Sequence, residues 1–312
     1  MRVVYFGTPE FAVPTLRTLI DSSHDVVALV SQPDRPRGRG HHLAPTATKV
    51  LAQSKGVPVL QPERIKDEGF LGTIASLGPD LGVVAAYGRL LPDALLQIPR
   101  VGMVNVHASL LPRWRGAAPV HRAVIAGDRE TGVTIMRVVK ELDAGPMFAT
   151  VSRRIGPDET SPEVERDLAE SGASLLLDVV DRMAAGEAVE TSQDDSLVTH
   201  APKIVKTEGT IDWHLPAQQL HNLVRGLQPW PLVSGRLAGA RVLLHRTALM
   251  NQPTSAVPGT IVRAERDNLE LAAGDGQILR ILMLQPEGRR VMTAREFLAG
   301  HVVATGTRFE RG

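Results

Sequence analysis

Cysteine is absent from this sequence of 312 residues. Its absence excludes disulfide frameworks, thiolate nucleophiles, cysteine-ligated zinc sites and iron–sulfur clusters. Long apolar runs are missing too, because none approaches the ~18 residues of a membrane-spanning helix. The apolar stretch near Met1 is also shorter than the ~7–15 residues of a signal-peptide core. We therefore expect a soluble, cytoplasmic protein that makes no use of thiol chemistry.

An excess of charge of one sign is also missing, since 35 Lys and Arg accompany 34 Asp and Glu, for a formal net charge of +1. The whole molecule is not a polycation that would bind nucleic acid through charge alone. The charges are unevenly distributed, with 13 Lys and Arg against 9 Asp and Glu from Val205 onward. A polyanionic partner would favour this C-terminal part, although two ordinary solvated surfaces explain the asymmetry equally well.

The first part of the chain alternates short β-rich runs with helical stretches, a pattern typical of a parallel sheet covered by helices. The strands are predicted at residues 3–6, 25–31, 57–60, 81–87 and 102–107. Thr8 is expected to cap the first helix, with Pro9 at its first position. The turn after the first strand lacks the spaced glycines of a dinucleotide site, so NAD binding is disfavoured. These features predict a Rossmann-like α/β fold with a mostly parallel sheet and a different ligand.

The second part of the chain is predicted to form a separate, smaller domain. A capping box at Thr160 begins a long helix that ends near Gly186. Residues 1–187 would form the Rossmann-like domain, and residues 188–207, which are polar and aperiodic, would form a linker. After a short helix at residues 217–227, alternating segments at residues 241–250, 260–266, 269–273 and 278–284 predict strands. Residues 208–312 would then form an OB-like β-barrel, a fold that commonly binds oligonucleotides.

Two polar side chains mark the end of the predicted strand at residues 102–107. Asn105 and His107 lie two residues apart, so both side chains emerge on one face at the carboxyl end of the strand. That edge is where open α/β sheets bind ligands. A strand buried on both faces is normally apolar throughout, so a polar pair here needs an explanation. The pair is either a functional site or a buried Asn and His that backbone hydrogen bonds satisfy.

Asp143 is the third candidate, in a turn that follows the apolar run at residues 133–139. An Asp beside a His stabilises the imidazolium and suits it to general acid or base work. The amide of Asn105 could donate to a developing oxyanion. The alternative for Asp143 is a turn residue that binds its own backbone. With no cysteine and no Gly-x-Ser-x-Gly elbow, the three residues suggest acyl-type transfer without a covalent intermediate.

The run from Asn105 to Pro119 closely resembles the formyltetrahydrofolate-dependent formyltransferases, as do residues 87–92, 132–136 and 142–145. The resemblance covers nearly the whole chain and implies that Asn105, His107 and Asp143 are catalytic. It also implies that 10-formyltetrahydrofolate is the formyl donor. Two segments would line the folate pocket, largely through backbone groups: Tyr87, Gly88, Arg89, Leu90 and Leu91 in one, and Ser109, Leu110, Leu111 and Pro112 in the other.

The formyl acceptor is indicated by a cationic loop after the second predicted strand. Arg35, Arg37 and Arg39 lie there among glycines and prolines, so the stretch is predicted to be a mobile loop able to reach phosphates. An ordinary solvated loop is the alternative. The loop resembles the insertion by which those family members that formylate methionyl initiator tRNA enter the acceptor arm, where Arg39 would contact the unpaired end. Lys206 is a further candidate for tRNA binding, although a solvated lysine explains it as well.

The resemblance thus implies transfer of a formyl group from 10-formyltetrahydrofolate to the α-amino group of methionyl initiator tRNA. A relative acting on a sugar-nucleotide amine or on water stays open, as does a non-catalytic RNA-binding protein. Asp143 would either orient His107 or pass protons through a water to the departing folate. No metal is assigned, because His41 and His42 have no third ligand at a usable spacing. The expected partners are initiator tRNA and folate, without a membrane, and we expect a monomer.

Overall fold

The structure is a computed structural model that describes residues 1–37 and 42–311. Two compact units form within it. The first contains Met1–Pro119, Glu130–Arg153 and Glu165–Ala201, and the second contains Val120–Arg129, Arg154–Val164 and the chain from Pro202 onward. None of the helices in these described residues is both long and apolar enough to cross a membrane. The predicted division into domains at residues 187 and 208 stays a prediction.

The chain up to residue 201 forms strands β1 to β11 and helices α1 to α6. In chain order they are β1 (Arg2–Gly7), α1 (Ala12–Ile20), β2 (Asp25–Val30), β3 (Arg35–Arg37), β4 (His42–Ala44), α2 (Ala47–Ser54), β5 (Val59–Leu60), α3 (Glu68–Ser76), β6 (Leu81–Ala85), α4 (Asp93–Leu96), β7 (Met103–His107), β8 (Arg115–Gly116), α5 (Pro119–Ala126), β9 (Glu130–Arg137), β10 (Met147–Arg154), α6 (Ser161–Ala185) and β11 (His200–Ala201).

Seven of these strands form one sheet in the order β10-β9-β7-β6-β1-β2-β5. The pairs β5–β2, β2–β1, β1–β6 and β6–β7 are parallel, and β9 pairs antiparallel with β7. The central strands are apolar throughout because helices cover both faces, as in Val3–Phe6, which is fully buried. This mostly parallel α/β sheet confirms the predicted fold class of the first part.

Helix α1 begins later than predicted. It starts at Ala12, not at Pro9, and its N-cap Phe11 makes no side-chain capping bond. The Thr8 hydroxyl instead accepts the backbone N–H of Gln32 at 3.3 Å, so Thr8 joins two loops and does not cap the helix. Pro14 lies in the first turn of α1, where the missing N–H costs little. The prediction assigned the helix start to the wrong proline.

The described residues of the cationic loop include the two short strands of a hairpin, β3 and β4. Strands β3 and β4 pair antiparallel, with Arg35 opposite Ala44 and Arg37 opposite His42. At the base of the hairpin, the Asp34 carboxylate accepts Lys49 Nζ at 2.6 Å and Gln61 Nε2 at 2.8 Å. The Lys49 bond is the main reason that the pKa of Asp34 lies below its ordinary value. Arg39 lies outside the described residues.

The segment predicted as a linker is folded. Residues Asp195–Leu197 and Lys206–Gly209 form single turns of 3-10 helix, and β11 pairs parallel with β8. Thr191 exchanges backbone hydrogen bonds with Met147 at 2.8 and 2.9 Å. We refer to Thr191–Ala201 as the strap. The strap clusters with the first compact unit, and its contacts concern the candidate site described below.

The second unit contains an antiparallel barrel. Its elements are α7 (Ala217–Gly226), β12 (Val233–Leu237), β13 (Ala240–Pro253), β14 (Ile261–Glu265), β15 (Asn268–Ala272), β16 (Gln277–Pro286), β17 (Met292–Thr293), α8 (Ala294–Gly300) and β18 (Phe309–Arg311). The strand order is β14-β15-β16-β13-β12-β18. Hydrogen bonds from Ile261 N to Thr307 O and from Phe309 N to Gly259 O join the two ends of this order. The closed sheet confirms the predicted OB-like barrel; β12, β17, β18 and α8 were not predicted.

Candidate active site

Strand β7 carries the first two candidate residues at its carboxyl end. Asn105 lies opposite Met136 of β9, and His107 lies opposite Thr134. Because side chains alternate along a strand, Asn105 and His107 share one face of the sheet. His107 is buried, with 5% of its surface exposed, whereas Asn105 is half-buried. Within residues 1–37 and 42–311, the Asn105 amide forms no hydrogen bond, so it is available to a ligand.

His107 is fixed by a carbonyl group. Its Nε2 lies 3.0 Å from the backbone oxygen of Trp114. A carbonyl oxygen only accepts, so Nε2 carries a hydrogen and Nδ1 is the nitrogen that gains or loses a proton. Nδ1 lies 3.7 Å from Asp143 Oδ2, and the side chain of Asp143 is only 12% exposed. Nδ1 of His107 therefore faces a carboxylate that is largely shielded from solvent.

The Asp143 turn is held by three hydrogen bonds. Asp143 has a positive φ of 51°, a conformation that Asp tolerates better than most residues. Its Oδ2 accepts the backbone N–H of Gly116 at 2.8 Å. The amide Nε2 of Gln193 donates to the carbonyl oxygens of Asp143 at 2.8 Å and of Gly145 at 2.7 Å. The sequence left open whether Asp143 is only a turn residue bonded to its own backbone. In the structure, these neighbours hold its carboxylate toward His107.

Gly116 is required where β8 meets the strap. Its φ is +128°, and an added Cβ would lie 2.6 Å from the carbonyl oxygen of Ala201. The strap also reaches Trp114, whose backbone N–H donates to Thr199 Oγ1 at 2.9 Å. The segment between His107 and Gly116 is therefore bonded both to the strap and to the two candidate acid–base residues.

The first predicted folate segment follows β6. Tyr87 is buried at 2% exposure and its ring packs edge-on against Phe6, with centroids 5.6 Å apart. Burial raises the pKa of its hydroxyl. The guanidinium of Arg89 donates to the backbone oxygen of Glu63 at 2.7 Å, and Leu90 is 75% exposed. Gly88 has a φ of +84°, and Leu91 is half-buried. The Tyr87 ring and the Arg89 guanidinium thus already have protein contacts. Among the described residues the buried Tyr87 hydroxyl has no hydrogen-bond partner, so it is left for a ligand together with backbone groups and Leu90.

The second predicted folate segment is a tight turn after β7. Ser109 is fully buried, and its hydroxyl donates to the backbone oxygen of Arg113 at 2.6 Å. Thr134 Oγ1 accepts the N–H of Leu111 at 3.1 Å and donates to the oxygen of Ser109 at 2.7 Å. Leu110 and Pro112 are half-buried. Since the Ser109 hydroxyl is used within the turn, recognition by this segment is left to backbone and apolar groups.

The residues predicted to bind tRNA lie in the two units separately. Arg35 of β3 is exposed, and only the backbone of Arg37 is described. Lys206 is exposed in the turn Lys206–Gly209. No group of three or more His, Asp or Glu that could hold a metal occurs in the part of the chain that the structure describes.

Sequence reasoning missed the strap residues Gln193 and Thr199 and the N–H of Gly116. One available signal was composition, because residues 187–207 hold no glycine and only one proline, Pro202. Flexible linkers are normally rich in glycine or serine. The apolar residues Val198, Ala201 and Ile204 also argue against a solvated connection, and Ala201 and Ile204 are buried.

The fold and site define a class: an α/β protein with a His–Asp pair at the carboxyl edge of its sheet, followed by a closed antiparallel barrel. The formyl transferase family matches residues 1–180, and its C-terminal domain matches residues 203–302. The chain belongs to the formyl transferase family, which confirms the resemblance seen in the sequence.

Curated relatives match over nearly the full length. A methionyl-tRNA formyltransferase of Methylococcus capsulatus is 47% identical, over 97% of this chain and 98% of the relative. One from Geotalea uraniireducens is 44% identical, over 98% and 97%. Among solved structures, HypX of Aquifex aeolicus in complex with tetrahydrofolic acid has a TM-score of 0.66 at 16% identity, covering 96% of this chain and 47% of that one. At that identity the likeness concerns the fold.

Proposed function

We propose that this formyltransferase moves the formyl group of 10-formyltetrahydrofolate to the α-amino group of methionyl initiator tRNA. The product is N-formylmethionyl-tRNA, the substrate of translation initiation. The observation that carries this proposal is the pair formed by His107 Nδ1 and Asp143 Oδ2, 3.7 Å apart, with His107 on the sheet face that also bears Asn105. The names of the full-length relatives support the choice of acceptor.

The acceptor amine is close to reactive at cellular pH. An α-amino group titrates near ~7.7–8.0 in peptides, so part of it is neutral and nucleophilic. Attack of the amine nitrogen on the formyl carbon gives a tetrahedral intermediate whose oxygen carries a negative charge. The bond from carbon to folate N10 breaks as that oxygen reforms the carbonyl group. The Asn105 amide, which has no hydrogen-bond partner in the described protein, donates to that oxygen. The chain has no cysteine, so the transfer is direct, without a thioester.

The proton of the amine goes to the His107–Asp143 pair. Because Nε2 of His107 donates to Trp114 O, the proton is accepted at Nδ1, on the side that faces Asp143. Once protonated, the imidazolium is stabilised by the Asp143 carboxylate. The pair then returns a proton to N10 as the folate leaves. In this proposal Asp143 orients His107 and stabilises its protonated form; passage of a proton from Asp143 through a water to N10 is the alternative role considered from the sequence.

The folate donor would bind along the segments Tyr87–Leu91 and Ser109–Pro112. Several side chains there are already committed to protein contacts, namely the hydroxyl of Ser109 and the guanidinium of Arg89. A flat, hydrogen-bonding ring system suits such a surface, since backbone N–H and C=O groups can pair with its edge while Leu90 covers its face. The donor supplies the activated formyl group, and the chain supplies position and proton transfer.

The tRNA would be bound by Arg35, Arg37, Arg39 and Lys206. Lys and Arg side chains contribute to nucleic-acid affinity by neutralising phosphates and releasing counterions. The C-terminal surplus of four positive charges after Val205 adds to this interaction. We place the reaction in the cytoplasm, where initiator tRNA is used, and propose that the chain acts as a monomer.

The test is a formylation assay with purified protein. The protein is incubated with 10-formyltetrahydrofolate and methionyl initiator tRNA, and the amino acid is released by mild ester hydrolysis and analysed by mass spectrometry. We expect N-formylmethionine. Reactions with an amino sugar nucleotide and without any amine are run in parallel. Formylation of the sugar, or release of formate alone at equal rate, would instead support the other acceptors considered above.

A further inference from the structure

We infer that Gln193 is a positioning residue that sets the place of Asp143 against His107, and that the strap acts as a brace for the acid–base pair. This inference rests on the proposed function, because it assigns a role in the same reaction. Gln193 would not touch either substrate. It would act through the Asp143 turn, whose geometry decides whether the carboxylate meets Nδ1 of His107.

The contacts of Gln193 are specific to a carboxamide. Its Nε2 donates to two carbonyl oxygens, those of Asp143 and Gly145, at 2.8 and 2.7 Å. Its Oε1 accepts from Nε and Nη2 of Arg115 at 3.0 and 2.8 Å. The amide nitrogen of Gln193 thus faces acceptors and its oxygen faces donors, which fixes the orientation of the amide. A carboxylate would still accept from Arg115 but would face two carbonyl oxygens with no hydrogen to offer.

Arg115 connects Gln193 to the residue that binds the Asp143 carboxylate. Its side chain is only 11% exposed, and it precedes Gly116, whose N–H donates to Asp143 Oδ2 at 2.8 Å. Gln193 therefore bonds the backbone of the Asp143 turn directly. It also bonds Arg115 of β8, the strand whose Gly116 N–H donates to the Asp143 carboxylate. The backbone and the carboxylate of Asp143 are held by two connected groups, so the turn cannot shift without breaking several hydrogen bonds.

The strap also fixes the other member of the pair. Thr199 Oγ1 accepts the N–H of Trp114, and the oxygen of Trp114 accepts Nε2–H of His107. Gln193 and Thr199 lie six positions apart in one segment; Gln193 bonds the backbone of Asp143 directly, and Thr199 reaches His107 through Trp114. Because Gln193 and Thr199 belong to the same short segment, the strap fixes the positions of Asp143 and His107 relative to each other.

The distance between His107 Nδ1 and Asp143 Oδ2 is sensitive to small movements of either residue. Nδ1 and Oδ2 are 3.7 Å apart, beyond a direct hydrogen bond but close enough that a small movement forms or abolishes one. A misplacement of ~1 Å by a remote change can lower a rate by ~10²-fold. Loss of the brace should therefore act on turnover, while substrate binding through other segments is preserved.

The decisive variant is Gln193→Glu, compared with Asp195→Asn as the matched control. Asp195 is 85% exposed and bonds the same Arg115 guanidinium at 2.9 Å without contacting the Asp143 turn. In the formylation assay, we expect Gln193→Glu to lower kcat by roughly 10- to 100-fold. KM for 10-formyltetrahydrofolate and for methionyl-tRNA should stay within about twofold, since the change removes no substrate contact. Asp195→Asn should behave as the wild type.

Coupling to Asp143 separates positioning from a general structural role. If Gln193 acts through Asp143, the double variant Gln193→Glu/Asp143→Asn should be no slower than Asp143→Asn alone. Multiplied losses in the double variant would overturn the inference, as would a single Gln193→Glu variant with a kcat within twofold of wild type. A wild-type chain that forms no N-formylmethionine would instead overturn the proposed function first, so the two failures are distinguishable.

Thr199 gives a second test if Gln193→Glu does not fold, which a thermal unfolding scan would reveal. Thr199→Val removes the acceptor for the Trp114 N–H, whereas Thr199→Ser retains it. We expect kcat to fall in Thr199→Val and to be rescued in Thr199→Ser, with KM unchanged in both. Equal turnover of the two variants would overturn the brace at the His107 side.

Discussion

At the scale of single residues, the site combines two side chains with fixed partners and one without. His107 is buried and Asp143 half-buried, and both are bonded to backbone groups, Trp114 O and Gly116 N. Asn105, on the same sheet face as His107, is half-buried and has no hydrogen-bond partner in the described protein. A polar side chain left open at the carboxyl edge of a sheet suits a group whose partner arrives with the substrate.

Replacing Asn105 by Ala should lower kcat by ~10²–10³-fold, the usual cost of one oxyanion donor. The Asn105→Asp variant tests the donor directly, because it keeps the size of the side chain and removes its N–H groups. We expect Asp to be at least as slow as Ala, since its charge would oppose the developing oxyanion. Steady-state rates with methionyl-tRNA measure both. Near-normal turnover of Asn105→Ala would remove Asn105 from the mechanism.

The sequence allowed part of this site to be predicted and not the rest. Strand alternation is enough to place Asn105 and His107 on one face, since it depends only on local geometry. The bond from His107 to Trp114 O depends on a turn whose path is set by Thr134 and Thr199, residues distant in sequence. No local sequence pattern encodes such contacts, so the tautomer of His107 and the role inferred for Gln193 follow only from the tertiary structure.

At the scale of elements, the two-residue strands β8 and β11 have an influence beyond their length. Their parallel pairing places Gly116 against Ala201 of the strap and directs its N–H to Asp143. Strands this short give no periodic signal, which is why the segment was predicted as a linker. The same limit applies to β17 and β18, whereas the long helix α6 has the repeated apolar spacing that makes a prediction reliable.

Replacing Gly116 by Ala should destabilise the protein and slow the reaction. The φ of +128° and the 2.6 Å approach to Ala201 O leave no room for a methyl group. We expect a loss of about 1–3 kcal/mol in the free energy of unfolding, as for strained non-glycine residues. Urea unfolding and formylation assays measure the two effects. The control is Gly56→Ala, whose φ is also positive, at +73°, but whose added Cβ meets nothing within 4 Å; its turnover should be normal.

The start of α6 predicts a pH dependence of stability. Burial of Glu163 acts to raise its pKa, but hydrogen bonds from the N–H and hydroxyl of Thr160, and from Arg246, lower it to about 2. The pKa in the folded state is thus below the ordinary value of 4.5, so the stabilisation is complete above pH 4.5 and is lost as pH falls toward 2. Glu163 is one-third exposed, which moderates the effect.

Urea unfolding of the wild type and of Glu163→Gln, repeated across this pH range, tests this contribution. The wild type should be the more stable of the two at pH 6, and the difference should narrow on acidification. A difference that is constant with pH would show that the carboxylate charge at Glu163 does not contribute.

At the scale of the whole molecule, the α/β class and the barrel were predictable because both follow from repeated patterns along long stretches of chain. The binding of tRNA is likewise a property of many charges together. Affinity for tRNA should fall steeply with salt, because each neutralised phosphate releases counterions. Arg35→Ala should lower the slope of log affinity against log salt concentration by about 1. Arg17→Ala, which removes an exposed arginine from α1, is the control and should leave the slope unchanged.

Arg39 lies outside the described residues, and its expected role comes from the family resemblance of the cationic loop. If Arg39 recognises the acceptor end of initiator tRNA, Arg39→Ala should lower kcat/KM for methionyl-tRNA by about 10-fold, equivalent to about 1.4 kcal/mol. The slow hydrolysis of 10-formyltetrahydrofolate, which needs the catalytic residues and no tRNA, should continue at the wild-type rate. We propose that both reactions depend on Asn105, His107 and Asp143, so a loss confined to formylation would locate the defect in recognition. An equal loss of both activities would place Arg39 in the chemistry of the site or in the stability of the fold.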